Sequence, residues 1–345
     1  MMPKIGVVTG KAPSLHVVAE DISAVYSELG HQVRPFFRPV PFFEAKQLFD
    51  KSIIFMPFDP TYVTPYLLSQ RDYRRVGIDS AFYTTVEGRP IRAMMPDWFK
   101  RDAEVIAVSE YVRSKLEEAE VRVLDVIHHG LDLKKLEKVA PDKEALRRLT
   151  GGDVVFGVVA SSHRRKGLDL LAKAIELVQD KIGAGFYVFT EPQAKPYFAG
   201  LKRTYVDARF GKLDRQSILR LIASMDFYVC SSLAEGFCLP ALEAQAFGVP
   251  VIYPDCAPIN EHVDPRFNFP FVWEDVEVYS ERFGIAFELH LYRPEAMAER
   301  IAEAYGLFKD SPEEYRRMGE GAKRHVAEKF EARKLYPRFS KYLNL

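Results

Sequence analysis

The amino-acid sequence predicts an α/β protein made of two doubly wound domains, and three observations carry that expectation. Short runs rich in Val, Ile, Phe and Tyr alternate with segments whose apolar residues recur at helical spacing. The 345 residues exceed the commonest single-domain size. Gly and Pro punctuate the joints between these segments. Lys+Arg and Asp+Glu both total 48, so charge gives no reason to expect nucleic acid or an acidic partner. No apolar run approaches membrane-spanning length and the first residues lack a signal-peptide pattern, so a cytoplasmic location is expected. Cys230, Cys238 and Cys256 lack paired metal-ligand spacing and fit a protein with reduced thiols.

In the first half, residues 4–9 read as a strand and residues 10–13 as its loop. Ser14 is positioned to cap a helix with Val18, Ile22, Val25 and Leu29 on one stripe, stopped at Gly30. Residues 33–37 follow as a strand, and this βαβ opening implies a parallel sheet. Gly-x-Gly-x-x-Gly is absent after the first strand, so no dinucleotide fingerprint is present. Residues 52–56, 76–79 and 82–86 are further strands, and Glu87 opens the loop after the last. Adjacent His128 and His129 on an extended segment point to opposite faces and have no clustered partners, which argues against a metal. The charged stretch 134–150 reads as a linker with a short helix.

The second half opens with strand 154–160 and the basic loop Ser161-Ser162-His163-Arg164-Arg165-Lys166-Gly167. A helix follows with Leu170, Leu171, Ala174, Ile175 and Val178 inward. Residues 186–189 and 205–210 are strands, the second ending at Gly211-Lys212-Leu213 before a helix over 214–224. Residues 227–230 read as a buried strand, 231–239 as a loop, Pro240 as the first helical residue and Gly248 as its stop. Glu235 then lies at the carboxyl end of a strand, where open α/β sheets bind ligands. Glu243 falls in the first helical turn. The amides of Gly236, Phe237, Cys238 and Leu239 precede a helix N-terminus, which attracts phosphate. Cations in the 161–167 loop suit a diphosphate. Two acids flanking a phosphate-binding turn fit a sugar nucleotide. Helices open at Arg293-Pro294 and at the capping box Ser311-Pro312-Glu313-Glu314, and residues 333–345 form the last helix.

The string EGFCLPALEAQAFGVPVI, residues 235–252, resembles the Glu-x7-Glu signature of retaining glycosyltransferases of family 4 (glycosyltransferase group 1). The resemblance implies the GT-B fold, two doubly wound Rossmann-like domains facing a central cleft. Residues 1–140 would form the acceptor-side domain, 141–328 the nucleotide-sugar donor domain, and 329–345 a helix returning to the first. It implies metal-independent transfer of a hexose from a nucleotide diphosphate sugar, of UDP or GDP type, to an acceptor hydroxyl with retained configuration. Glu235 would orient the donor sugar near its anomeric carbon, and Glu243 would accept hydrogen bonds from ribose hydroxyls. Lys166 matches the lysine that contacts the donor phosphates. The arginine expected five positions earlier falls on Ser161, so Arg164 or Arg165 takes its place. Gly10 would approach the donor phosphates or the acceptor, and Gly211, Lys212 and Leu213 the nucleotide base. Gly236, Phe237, Cys238 and Leu239 would hold the diphosphate through backbone. The family often has a histidine near the end of the 82–86 strand; here Glu87 is the nearest polar residue.

Two other readings share this fold. A nucleotide-sugar 2-epimerase would need acid/base side chains from the first domain, and a non-catalytic sugar-nucleotide-binding protein would have lost a key residue. The acceptor would be a sugar, a glycan or a lipid-linked group. The last admits peripheral contact with the inner face of a membrane. Trp98-Phe99-Lys100-Arg101 is an aromatic-basic patch, too short to count as an amphipathic anchor.

Overall fold

The computed structural model describes residues 2–280 and 284–345. The chain divides into unit 1, formed by Met1–Asp132, Val278–Phe287 and Phe330–Leu345, and unit 2, formed by Leu133–Glu277 and Glu288–Lys329.

Unit 1 contains strands β1 (Lys4–Thr9), β2 (Gln32–Phe36), β3 (Lys51–Pro57), β4 (Asp79–Thr85), β5 (Gly88–Pro90), β6 (Glu104–Ala107) and β7 (Arg122–Val126). Six of them form a sheet of order β2-β1-β3-β4-β6-β7, with every neighbouring pair parallel. Central strands read as continuous apolar runs because helices cover both faces. Ile53, Ile54 and Phe55 of β3 are buried accordingly. The helix Pro13–Glu28 buries Val18, Ala19, Ile22 and Val25.

Three expectations for this unit are corrected. Ser14 does not cap the first helix, which starts at Pro13 with Ala12 as its cap; a proline's fixed φ favours that first position. Residues 76–79 and 82–86 are not two strands. Val76 and Gly77 close the preceding helix, Gly77 at φ 84, and Asp79–Thr85 is one strand. Residues 333–345 are not one helix but the short segments Ala332–Leu335, Tyr336–Phe339 and Ser340–Leu343. Pro337 lacks the N–H that a continuous helix requires.

This C-terminal segment is bound firmly into unit 1. Tyr336 OH donates to Gly130 O at 3.1 Å and accepts from Gly130 N at 3.1 Å. Arg333 reaches Glu28 at 2.6 Å, Asp132 at 2.7 Å and Glu331 at 2.9 Å. A Cβ on Gly130 would overlap the backbone of Ala332, so only glycine permits the close approach.

Unit 2 holds β8 (Val155–Val159), β9 (Gly185–Phe189), β10 (Thr204–Asp207), β11 (Phe227–Val229), β12 (Val251–Pro254) and β13 (Phe269–Phe271). They form a sheet of order β10-β9-β8-β11-β12-β13, again with parallel neighbours. β10 ends earlier than the 205–210 run expected, because the chain turns at Gly211, φ 76. β13 is not anticipated by the sequence, since Pro270 interrupts its run. It lies at the sheet edge, where a missing N–H is tolerated. Strands β14 (Asp275–Ser280) and β15 (Ile285–Leu291) are likewise unanticipated; Ile285, Ala286 and Phe287 pair antiparallel with β5.

The Gly130 contact predicts that Gly130→Ala destabilises the protein by about 1–3 kcal/mol, as forced overpacking does. The expected observation is a lower urea midpoint at unchanged slope; a midpoint equal to that of the native chain would show that the C-terminal segment is not held there.

Candidate active site

The strand order of unit 2 contains a reversal. From β8 the chain proceeds outward to β9 and β10, and from β11 in the other direction to β12 and β13. From the carboxyl ends of β8 and β11 the chain therefore continues in opposite directions, and such a switch point is where open α/β sheets bind ligands. The first loop carries Arg164, Arg165 and Lys166 in a single 3-10 turn, ended by Gly167 at φ 59. The second carries Glu235.

Hydrogen bonds stitch these loops together. Leu233 N donates to Arg165 O at 2.7 Å and Ser231 Oγ to Lys166 O at 2.7 Å. Tyr292 OH donates to Ser231 O at 2.5 Å. A Cβ on Gly167 would overlap Ser231 O, so the approach itself needs glycine.

Glu235 is only 7% exposed and faces both cations. Its Oε1 pairs with Lys166 Nζ, and its Oε2 lies 3.3 Å from Arg165 Nη1, which also donates to Ala234 O at 3.1 Å. Burial alone would raise this carboxyl's pKa. The charges of Lys166 and Arg165 outweigh it and hold the group at about 2. Glu235 is thus a carboxylate at neutral pH, beside two cations that a phosphate group could share. Arg164 turns the other way and pairs with Glu277 at 2.8 Å, both half in solvent. Of the two arginines left open by the sequence, Arg165 is the one beside Glu235.

Glu243 is 1% exposed. It lies in the helix Leu239–Ala246 beyond its first turn, which holds no acid, and this corrects the first-turn assignment. The helix begins at Leu239, one residue before Pro240. Arg215, the first residue of the helix Arg215–Ser224, pairs with Glu243 Oε1. Glu243 Oε2 is buried with no hydrogen-bond partner. A buried carboxylate oxygen left bare costs free energy unless a donor reaches it. Sequence reading missed Arg215. The available signal was a cation directly after Asp214, whose side chain caps that helix through Ser217 N at 2.8 Å.

Gly236, Phe237 and Cys238 are buried between these acids. The Phe237 ring stacks on His262, with centroids 4.6 Å apart, and His262 Nε2 donates to Phe237 O at 2.6 Å. His262 is thus a structural prop for the loop. Ser161 is half-buried after β8, and Ser162 N and Oγ donate to Glu191 Oε2 at 2.8 and 2.5 Å. Gly211 and Lys212 are exposed in the turn after β10, while Leu213 packs on the core.

In unit 1, Gly10 closes β1, and a Cβ there would lie 3.1 Å from Leu15 and Met56. Glu87 is half-buried after β4. His129 accepts or donates at 2.9 Å with Tyr83 OH. Among the described residues no group of three His, Cys, Asp or Glu is placed to hold a metal ion. Phe99 is buried and Trp98 carries Arg71 over its ring at 5.2 Å, while the side chain of Lys100 lies outside the described residues. No described helix is long and apolar enough to cross a membrane.

The depressed pKa of Glu235 yields a stability prediction with a definite sign. Its contribution is complete above the ordinary value of 4.5 and is lost as pH falls toward about 2. At 1.36 kcal/mol per unit, the shift corresponds to ~3 kcal/mol. Glu235→Gln should therefore lower stability by about that amount at pH 7, with the gap from the native chain narrowing below pH 4.5. Urea unfolding from pH 7 to pH 3 would show it, and a gap independent of pH would contradict the pairing.

Comparison with known proteins shows what the chain as a whole is similar to. Residues 153–304 match the family model described as Glycosyl transferases group 1. The chain is 28% identical over 346 residues to uncharacterized glycosyltransferase 335 of Sulfolobus islandicus rod-shaped virus 1, covering 97% of this chain and 99% of that protein. It is 29% identical over 175 residues to a GDP-mannose-dependent monoacylated α-(1-6)-phosphatidylinositol monomannoside mannosyltransferase of Corynebacterium glutamicum, covering 44% of each. Anabaena HepE in complex with UDP-glucose superposes with a TM-score of 0.71 at 15% identity, over 99% of both chains. Sucrose-phosphate synthase of Thermosynechococcus elongatus gives 0.68 at 15% identity, over 98% of this chain and 97% of that one. The protein has the GT-B fold and is an enzyme of the glycosyltransferase class.

Proposed function

We propose that this enzyme transfers a hexose from a nucleoside diphosphate sugar to an acceptor hydroxyl, with retention of anomeric configuration and without a required metal. The observation that carries the reading is the buried Glu235–Arg165–Lys166 cluster at the switch point of unit 2. In this scheme residues 141–328 bind the donor, residues 1–140 the acceptor, and residues 329–345 complete the first domain. Arg165 and Lys166 bind the diphosphate together with the amides of Gly236, Phe237, Cys238 and Leu239. Glu243 Oε2 accepts from a ribose hydroxyl, which supplies the donor that this buried oxygen lacks. Arg215 holds the other carboxylate oxygen and keeps Oε2 turned to the ligand. Ser161, Gly211, Lys212 and Leu213 border the nucleotide, and Gly10 approaches the phosphates or the acceptor.

Glu235, ionised at neutral pH, accepts a hydrogen bond from the donor sugar and fixes its anomeric carbon. As the bond from that carbon to the phosphate oxygen breaks, negative charge grows on the diphosphate. Arg165 and Lys166 stabilise it there, in a site already organised before reaction. The acceptor oxygen bonds to the carbon on the face the phosphate leaves, and its proton passes to the departing phosphate oxygen. The two cations supply the charge a divalent ion would otherwise contribute. The HepE structure contains UDP-glucose and the corynebacterial relative is named for GDP-mannose, so both nucleotide classes merit testing.

Calorimetric titration with UDP and GDP tests the donor reading. One of them should bind with chelator present, and Glu243→Ala or Arg215→Ala should weaken it about tenfold or more, the loss of one charged hydrogen bond. Binding of neither nucleotide, or binding abolished by chelator, would overturn the scheme. With an acceptor in hand, NMR of the first-formed product should show the donor's anomeric configuration; an inverted product would overturn retention.

A further inference from the structure

The three cysteines are free and buried. Two of them meet. Cys230 follows β11 and Cys238 immediately precedes the helix Leu239–Ala246, and their Sγ atoms lie 3.5 Å apart. Between them runs the loop that carries Glu235. Cys230 is anchored by its N–H, which donates to Ile252 O at 2.8 Å. Cys238 adopts φ 75, a left-handed conformation. A residue with a β-carbon is strained there, and glycine is not. That conformation brings the Cys238 sulfur onto Cys230.

We propose that Cys230 and Cys238 form a reversible disulfide that cross-links the two ends of the Glu235 loop. Closing the sulfurs to the ~2.05 Å of a disulfide needs a relative movement of about 1.5 Å. Cys230 is held in the sheet, so the shift falls on Cys238 and on the turn that precedes its helix. The oxidant is a peroxide. The thiol-to-thiol hydrogen bond lowers the pKa of Cys230 and raises that of Cys238, making Cys230 the attacking sulfur. Its thiolate displaces hydroxide from the peroxide and becomes a sulfenic acid. Cys238 then attacks that sulfur, and its proton leaves with the hydroxyl as water. In total two thiols lose two electrons and two protons, and hydrogen peroxide is reduced to two waters. Burial pushes the Cys256 thiol up, and it takes no part.

The full chain, treated with hydrogen peroxide at temperatures up to the onset of melting, provides the test. Thiols are then alkylated under denaturing conditions, and peptides are mapped by mass. Of three alkylatable thiols in reduced protein, one should remain after oxidation, at Cys256. A peptide holding Cys230 and Cys238 should have lost two hydrogen atoms, and reductant should restore all three thiols. The oxidised chain should also melt higher than the reduced one. Cys238→Gly suits the local φ and should fold; it should form no intramolecular disulfide and should not melt higher after oxidation. Three thiols surviving oxidation, a link to Cys256, or sulfinic acid on Cys230 without a link would each overturn the proposal.

Discussion

The site depends on a carboxylate buried against two cations. Glu235 out of water is costly unless paired, and Arg165 and Lys166 are taken partly out of water with it. The three charges leave one net positive charge, in a region whose backbone is tied by the bonds from Ser231, Leu233 and Tyr292. Removing Glu235 would strand two like charges; removing either cation would leave a buried anion half-compensated. The cluster thus stabilises the fold and, in the proposed reaction, is the part that meets the diphosphate. In that proposed reaction a phosphate would offer both cations new partners while Glu235 turned to a sugar hydroxyl.

Topology explains why these residues meet. Reversal of strand order between β8 and β11 opens the sheet at its carboxyl edge, and both loops start there. Glycine at position 167 lets the loops touch. Arg215 and Glu243, from two different helices, close a second ion pair in the same unit. The second pair leaves Glu243 Oε2 buried without a hydrogen-bond partner.

Much of this was legible locally. Glu235, Lys166 and the strand–loop–helix rhythm around them lie in short strings whose Gly and Pro fix the turns. Glu243 was legible as a residue but misplaced by one helical position, because the helix begins at Leu239 rather than Pro240 and so carries it just past the first turn. Arg215 was not legible, since it reaches Glu243 only when strands β10 and β11 and their helices have packed. The choice between Arg164 and Arg165 likewise needed the 3-10 turn, which aims neighbouring side chains apart. Strand β13 was hidden by Pro270 and the terminal helix was broken by Pro337. At Pro337 the missing N–H breaks the helical pattern, whereas at the sheet edge Pro270 is tolerated and only conceals the strand.

The most direct test of the central claim is an experimental structure with a nucleoside diphosphate bound. The account predicts the β-phosphate within hydrogen-bond distance of Arg165 and Lys166, and a ribose hydroxyl on Glu243. A diphosphate bound elsewhere, with both Glu235 ion pairs and the bare Glu243 oxygen untouched, would contradict it.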